Sequence, residues 1–144
     1  MSTILVTGAS SGMGKDTAMR LLRDGHTVYV AARRLDQMQD LKDLGAIPVK
    51  MDITQDEDIL AAVRTITSVH GGVDVLVNNA GFGMYGSVEE TSIEDARYQF
   101  EVNLFGLARL TQLLVPAMRE RGAGKIIEAA PLFRRSRTRV RWCR

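Results

Sequence analysis

Between positions 7 and 14 the chain reads Thr7-Gly8-Ala9-Ser10-Ser11-Gly12-Met13-Gly14. Glycine adopts backbone angles that other residues avoid and lets main-chain amides come close to an anion. Where such a loop runs into a helix, the unpaired N–H groups of the first turn face that anion and favour its negative charge. The chemistry this segment could do is to hold phosphate oxygens, with a plain tight turn as the alternative. Arg33 and Arg34 could do the same by other means. A guanidinium is a planar fork of donors matched to phosphate oxygens, and it keeps its charge at physiological pH; solvated surface charge is the other reading. Four further polar positions, Asp52, Asn78, Asn79 and Asn103, are open when taken singly. Asp52 could cap a helix, and Asn78 and Asn79 could satisfy a turn. Asn103 could bond to nearby main chain, although asparagine inside a helix is locally unfavourable. His26 and His70 are isolated and Cys143 stands alone, so neither a metal site nor an internal disulfide is expected.

The elements that would position these residues follow from periodicity. Residues 3–6 form an apolar run before the glycine loop, and Ala18, Leu21 and Leu22 recur at helical spacing within 14–22. Gly25 closes that helix, 27–32 is a β-branched run, and Leu35, Met38, Leu41 and Leu44 mark a second helix over 35–44. Residues 46–51 predict a third strand. A helix over 55–70 follows, with Ile59, Ala62, Val63 and Ile66 on one face, and 73–78 predicts a fourth strand. A long helix over 92–121 is expected next, capped by Thr91 or Ser92, with Glu94 and Asp95 in its first turn and Pro116 loosening its last. A fifth strand begins at 125–127. Strands apolar on both faces, alternating with amphipathic helices about every 25 residues, indicate an α/β fold with a parallel sheet covered on both sides.

The glycine loop now has a place, at the turn from first strand to first helix. Spaced TGxxxGxG, it resembles the cofactor loop of the short-chain dehydrogenases/reductases. Met51-Asp52-Ile53-Thr54 after the third strand, Asn78-Asn79-Ala80-Gly81 after the fourth, and Val102-Asn103-Leu104-Phe105-Gly106 resemble that family's further motifs, in order. The resemblance covers residues 3 to about 127. It implies a doubly wound Rossmann fold with strand order 3-2-1-4-5. It implies a nicotinamide cofactor held by Gly8, Ser10, Ser11, Gly12, Met13, Gly14, Asp52, Ile53, Asn79, Ala80 and Gly81, and it assigns Asn103 to the family's Asn-Ser-Tyr-Lys catalytic set. Which cofactor is legible at the second strand's end, where an acid would bond ribose hydroxyls and repel a 2′-phosphate. Ala32 stands there, followed by Arg33 and Arg34, and the expectation is NADP, with Arg33 the main contact and Arg34 secondary.

The rest of that catalytic set is missing from the sequence. Four residues after Tyr29, Tyr85 and Tyr98 stand Arg33, Glu89 and Val102, so no YxxxK occurs. Where the family's serine is expected the chain reads Glu128-Ala129-Ala130-Pro131. The expectation is an NADP-binding portion of a family whose members act on small carbonyls or alcohols, inactive by itself. A working enzyme completed by a partner chain is one alternative.

Charge divides the chain. Of its 19 lysines and arginines, six arginines fall within 131–144, leaving 13 against 17 acidic residues elsewhere. Residues 1–129 are expected to be the dinucleotide-binding domain and 130–144 an arginine-rich, aberrant tail, of the composition a GC-rich coding sequence yields out of register. Nonspecific nucleic-acid binding through that tail is the weakest alternative. With no apolar run long enough to span a bilayer and no secretory signal, a cytoplasmic protein is expected. Phe100, Leu104, Leu107, Leu110, Leu113 and Leu114 cover a broader arc than one sheet face needs, which predicts a homo-oligomer.

Overall fold

In the computed structural model of the chain, residues 1–129 are described; the expected tail, residues 130–144, lies outside the described residues. Five strands, β1 (Thr3–Thr7), β2 (Thr27–Ala32), β3 (Ile47–Lys50), β4 (Val75–Asn78) and β5 (Lys125–Glu128), form a parallel sheet in the order β3-β2-β1-β4-β5. The helices are α1 (Gly12–Arg23), α2 (Gln39–Asp43), α3 (Asp56–His70), α4 (Ile93–Phe100) and α5 (Gly106–Glu120).

Successive side chains of a strand point to opposite faces, so an apolar run with helices on both sides builds two cores at once. On one face Ile4, Val6, Val28, Val30 and Val77 pack with Ala18 of α1, Leu41 of α2 and the preceding Met38. On the other, Leu5, Tyr29, Ala31 and Leu76 pack with Ile59, Ala62 and Ile66 of α3 and with Leu107, Leu110, Leu114 and Met118 of α5. The sheet is therefore doubly wound, in the expected strand order. Among the described residues no helix is long and apolar enough to cross a membrane.

Three local expectations change. The helix predicted over 35–44 is a 3-10 turn (Asp36–Met38) followed by the short α2. So short a piece presents only a two-residue stripe: Met38 and Leu41 are fully buried, while Leu35 and Leu44 are exposed. The helix predicted over 92–121 is interrupted between α4 and α5 by one π-helical turn, Glu101–Phe105. Ser92, not Thr91, caps it: the Asp95 amide donates to Ser92 Oγ (3.0 Å), and that hydroxyl donates to Asp95 Oδ2 (2.8 Å). Pro116 does not loosen the last turn, since α5 continues through it to Glu120. Proline's fixed φ is helical, so only one amide bond is forfeited, and buried residues on both sides of it hold the helix to the sheet.

Across the outer surface, Arg109 Nε of α5 donates to Asp56 Oδ1 of α3 at 2.6 Å, with Nη2 to Oδ2 at 3.3 Å. This two-point bond lowers the Asp56 carboxyl from its ordinary range and raises the Arg109 guanidinium.

Candidate functional site

In an open parallel sheet, ligands settle beyond the strand C-termini where the strand order reverses. Here that point lies between β1 and β4. The two strand ends are fastened by Thr7, whose side chain is fully buried. Its Oγ1 accepts the amides of Asn79 (3.0 Å) and Ala80 (2.9 Å), and makes a longer contact, 3.4 Å, to the Val77 carbonyl. Asn79 returns the link, its Nδ2 donating to the carbonyls of Thr7 (3.0 Å) and Gly8 (3.2 Å).

These bonds leave no room for side chains at two glycines. A Cβ on Gly8 would stand 2.8 Å from Ala80 Cα, and one on Gly14 would strike Asn79 Nδ2 and lie 2.5 Å from the Gly8 carbonyl oxygen. Gly8 and Gly12 also have φ of 64° and 55°, in the left-handed region that suits glycine. Ser11 occupies the N-cap of α1 without a side-chain capping bond, which leaves the first-turn amides to a ligand.

The other walls come from the ends of β2 and β3 and from α4. Ala32 ends β2, and Arg33 and Arg34 follow it, both exposed. After β3, Asp52 Oδ1 accepts the Thr54 amide (3.0 Å) and hydroxyl (2.8 Å), and the Asp52 amide donates to Asp58 Oδ2 (3.0 Å). Gly106, the first residue of α5, abuts this turn so closely that a Cβ there would collide with the Ile53 carbonyl. The loop after β4 is held by two side chains one helical turn apart. Gln99 Oε1 accepts the Met84 amide at 2.9 Å; Asn103 Oδ1 accepts the Phe82 amide at 3.0 Å while its Nδ2 donates to the Phe82 carbonyl at 2.7 Å.

Together these elements enclose a cleft of about 460 Å³, within the range of small-molecule and cofactor sites. Gly8, Ser10, Ser11, Met13, Arg33, Arg34, Asp52, Ile53, Asn79, Ala80 and Gly81 all line it. Gly12, exposed, and Gly14, buried, are not on its wall and act on the shape of the loop. Asn103 is not on the wall either; both ends of its amide are spent on Phe82. Residues not named as cofactor contacts also line the cleft, among them Thr7, Gln37, Phe82, Tyr98 and Val102. For the last two a signal existed, since their spacing of four puts them on one helix face. Thr7 opens the TGxxxGxG motif, but nothing in its type names the amides that its hydroxyl accepts.

Nearby, the buried Asn78 donates through Nδ2 to Glu128 Oε1 (2.7 Å) and Thr111 Oγ1 (3.1 Å), joining β4 to β5 and α5. Its Oδ1 has no partner among the described residues.

Residues 2–132 match the short chain dehydrogenase family. The chain belongs to that family. It is 37% identical over 130 residues to the 3-ketodihydrosphingosine reductase of Bacteroides thetaiotaomicron, an alignment covering 90% of this chain and 46% of that protein. A short-chain dehydrogenase structure from Streptomyces avermitilis superposes with a TM-score of 0.86 at 42% identity, covering 88% of this chain and 48% of the other. L-sorbose reductase from Gluconobacter frateurii, solved with NADPH and L-sorbose, gives 0.81 at 32% identity, with 88% and 51% covered. The chain spans about half the length of these relatives.

The short-chain dehydrogenases bind a nicotinamide cofactor, and the residues here fit such a group on their own geometry. A dinucleotide needs main-chain amides accessible at the opening helix: Ser11 at the N-cap makes no side-chain bond to them, and the absent Cβ atoms of Gly8 and Gly14 let the loop pack close against Asn79 and Ala80. It also needs an elongated recess away from the loop, and the cleft continues past Ala32 to Arg33, Arg34 and Asp52.

Proposed function

We propose that this chain binds NADP(H), as the cofactor-holding portion of a short-chain oxidoreductase that acts on small carbonyls or alcohols. The observation that carries the reading is a single cleft with the glycine-serine loop at one end and Arg33 and Arg34 at the other, and with Ala32 where an acid would select against a 2′-phosphate. The amides of the loop and the start of α1 hold the pyrophosphate, the two guanidiniums hold the 2′-phosphate, and Asp52 and Ile53 border the adenine. When bound, the reduced cofactor supplies a hydride to a carbonyl carbon. Proton donation to the carbonyl oxygen needs an acid that the sequence does not offer in YxxxK form, so a polypeptide of these 144 residues binds the cofactor without appreciable turnover. Asn103 serves here by holding the loop at Phe82.

The test is titration of the purified chain with NADPH and NADH by calorimetry, beside a turnover assay over aldehydes and ketones. NADPH binds more tightly, Arg33→Asp reverses the preference, and no substrate is reduced. A folded chain that ignores both nucleotides at millimolar concentration refutes the reading, and an Arg33→Asp chain that keeps its preference refutes the choice of NADP.

A homo-oligomer belongs to the same proposal. Phe100, Leu104 and Phe105, 57%, 50% and 56% exposed, stand on one stretch of α4 and the π turn, and Ile126 and Ile127 of β5 are exposed as well. Apolar surface of this kind favours association. Sedimentation at tens of micromolar shows dimers or larger species; a clean monomer contradicts it.

A further inference from the structure

We infer that Tyr98 is a positioning residue for cofactor choice: its hydroxyl holds Arg33 in place across the cleft, so that the arginine meets a 2′-phosphate already oriented. The inference rests on the NADP reading above and adds a residue to it.

Arg33 extends from the end of β2, on one wall, and its Nη1 donates to the hydroxyl of Tyr98 on α4, on the other, at 3.2 Å. Without a partner, an exposed arginine samples many rotamers, and ordering it on a ligand costs binding free energy. One bond to a fixed acceptor removes part of that cost beforehand. It uses one N–H of five, so the rest of the fork stays available to an anion. Tyr98 is itself fixed. Its ring lies tilted against Phe82, centroids 5.7 Å apart, and Asn103 clamps the Phe82 main chain through both amide and carbonyl. A continuous set of contacts thus runs from Asn103 through Phe82 and Tyr98 to the guanidinium. The cavity supports the assignment: Arg33, Tyr98, Phe82 and Val102 all line it, so the bonded pair borders the space a ligand would fill.

The test uses the 144-residue chain and equilibrium binding of NADPH and NADH by calorimetry, for the wild type, Tyr98→Phe, Arg33→Ala and the double variant. Phenylalanine keeps the ring against Phe82 and deletes only the hydroxyl; matched urea midpoints establish that the fold is retained. Tyr98→Phe is expected to weaken NADPH about three- to fivefold, the lower part of the worth of a hydrogen bond because the pair is exposed, and to change NADH less than about twofold. On the Arg33→Ala background, Tyr98→Phe should have no further effect on NADPH. Equal losses for both nucleotides would mark a general packing role and overturn the inference, as would unchanged or tightened NADPH binding, or additive effects in the double variant. Arg33→Ala distinguishes the two levels. If it impairs NADPH binding while Tyr98→Phe does nothing, only the inference fails; if it leaves NADPH affinity untouched, the NADP reading fails and the inference with it.

Discussion

Replacing Thr7 by valine tests whether one hydroxyl holds the two halves of the sheet together at the site. Valine has the same shape, so no cavity opens and strand propensity does not suffer. What disappears is the acceptor for the amides of Asn79 and Ala80, bonded now at 3.0 and 2.9 Å. A buried donor left without a partner costs about 1–3 kcal/mol. Asn79 and Ala80 are only part-buried, which places each near the lower end, and the pair at about 2–4 kcal/mol. The contact to the Val77 carbonyl, at 3.4 Å, adds little. With a urea dependence of about 2 kcal/mol per molar, the unfolding midpoint followed by far-ultraviolet circular dichroism falls by about 1–2 M, with unchanged slope. Thr7→Ser keeps the hydroxyl and loses one buried methyl, worth about 1 kcal/mol, and should recover most of the loss. A valine variant within about 0.5 kcal/mol of wild type, or a serine variant no better than valine, refutes the argument. NADPH binding should weaken along with stability, because Asn79, whose amide the hydroxyl accepts, also holds the Gly8 carbonyl through its side chain.

The ion pair between Asp56 and Arg109 yields a pH prediction. Its hydrogen bond to Arg109 places the Asp56 pKa below the unfolded value, so its contribution to stability is present above the unfolded pKa, near pH 4, and is lost as pH falls through the lower folded value. Asp56→Asn removes that component. Its melting temperature should fall less steeply than wild type as pH drops below about 4, by a small amount because both side chains are half-exposed, and less still in high salt. Parallel melting curves for the two proteins across that range would show that the pair carries no net linkage.

The sheet was legible because its strands are apolar on both faces and its helices carry narrow stripes, patterns that few other folds require. The cleft was legible where backbone geometry forces a residue type, as at Gly8 and Gly14, or where charge is unusual, as at Arg33. Hydrogen bonds that join distant segments were not. Thr7 meets Asn79 across 72 positions, and neither residue's type announces the partner. Tyr98 has Arg33 and Phe82 on either side of it, partners that its spacing from Val102 does not name. The stripe of Leu35, Met38, Leu41 and Leu44 overestimated burial, because spacing records a face without recording how short the helix is.

The wide turn at Glu101–Phe105 has its own consequence. A π turn holds one residue more than an α-helical turn, and each residue rotates a helix by about 100°. Tyr98 before the turn and Val102 within it line the cleft, while Leu107, Leu110 and Leu114 after it pack on the sheet. One rod acts as a gatepost in its first half and as a buttress in its second, with a single extra position absorbed between them. Chain length between Phe100 and Gly106 therefore has one residue of slack, since losing the extra position would leave an ordinary α-helical turn with both halves still facing as they do now.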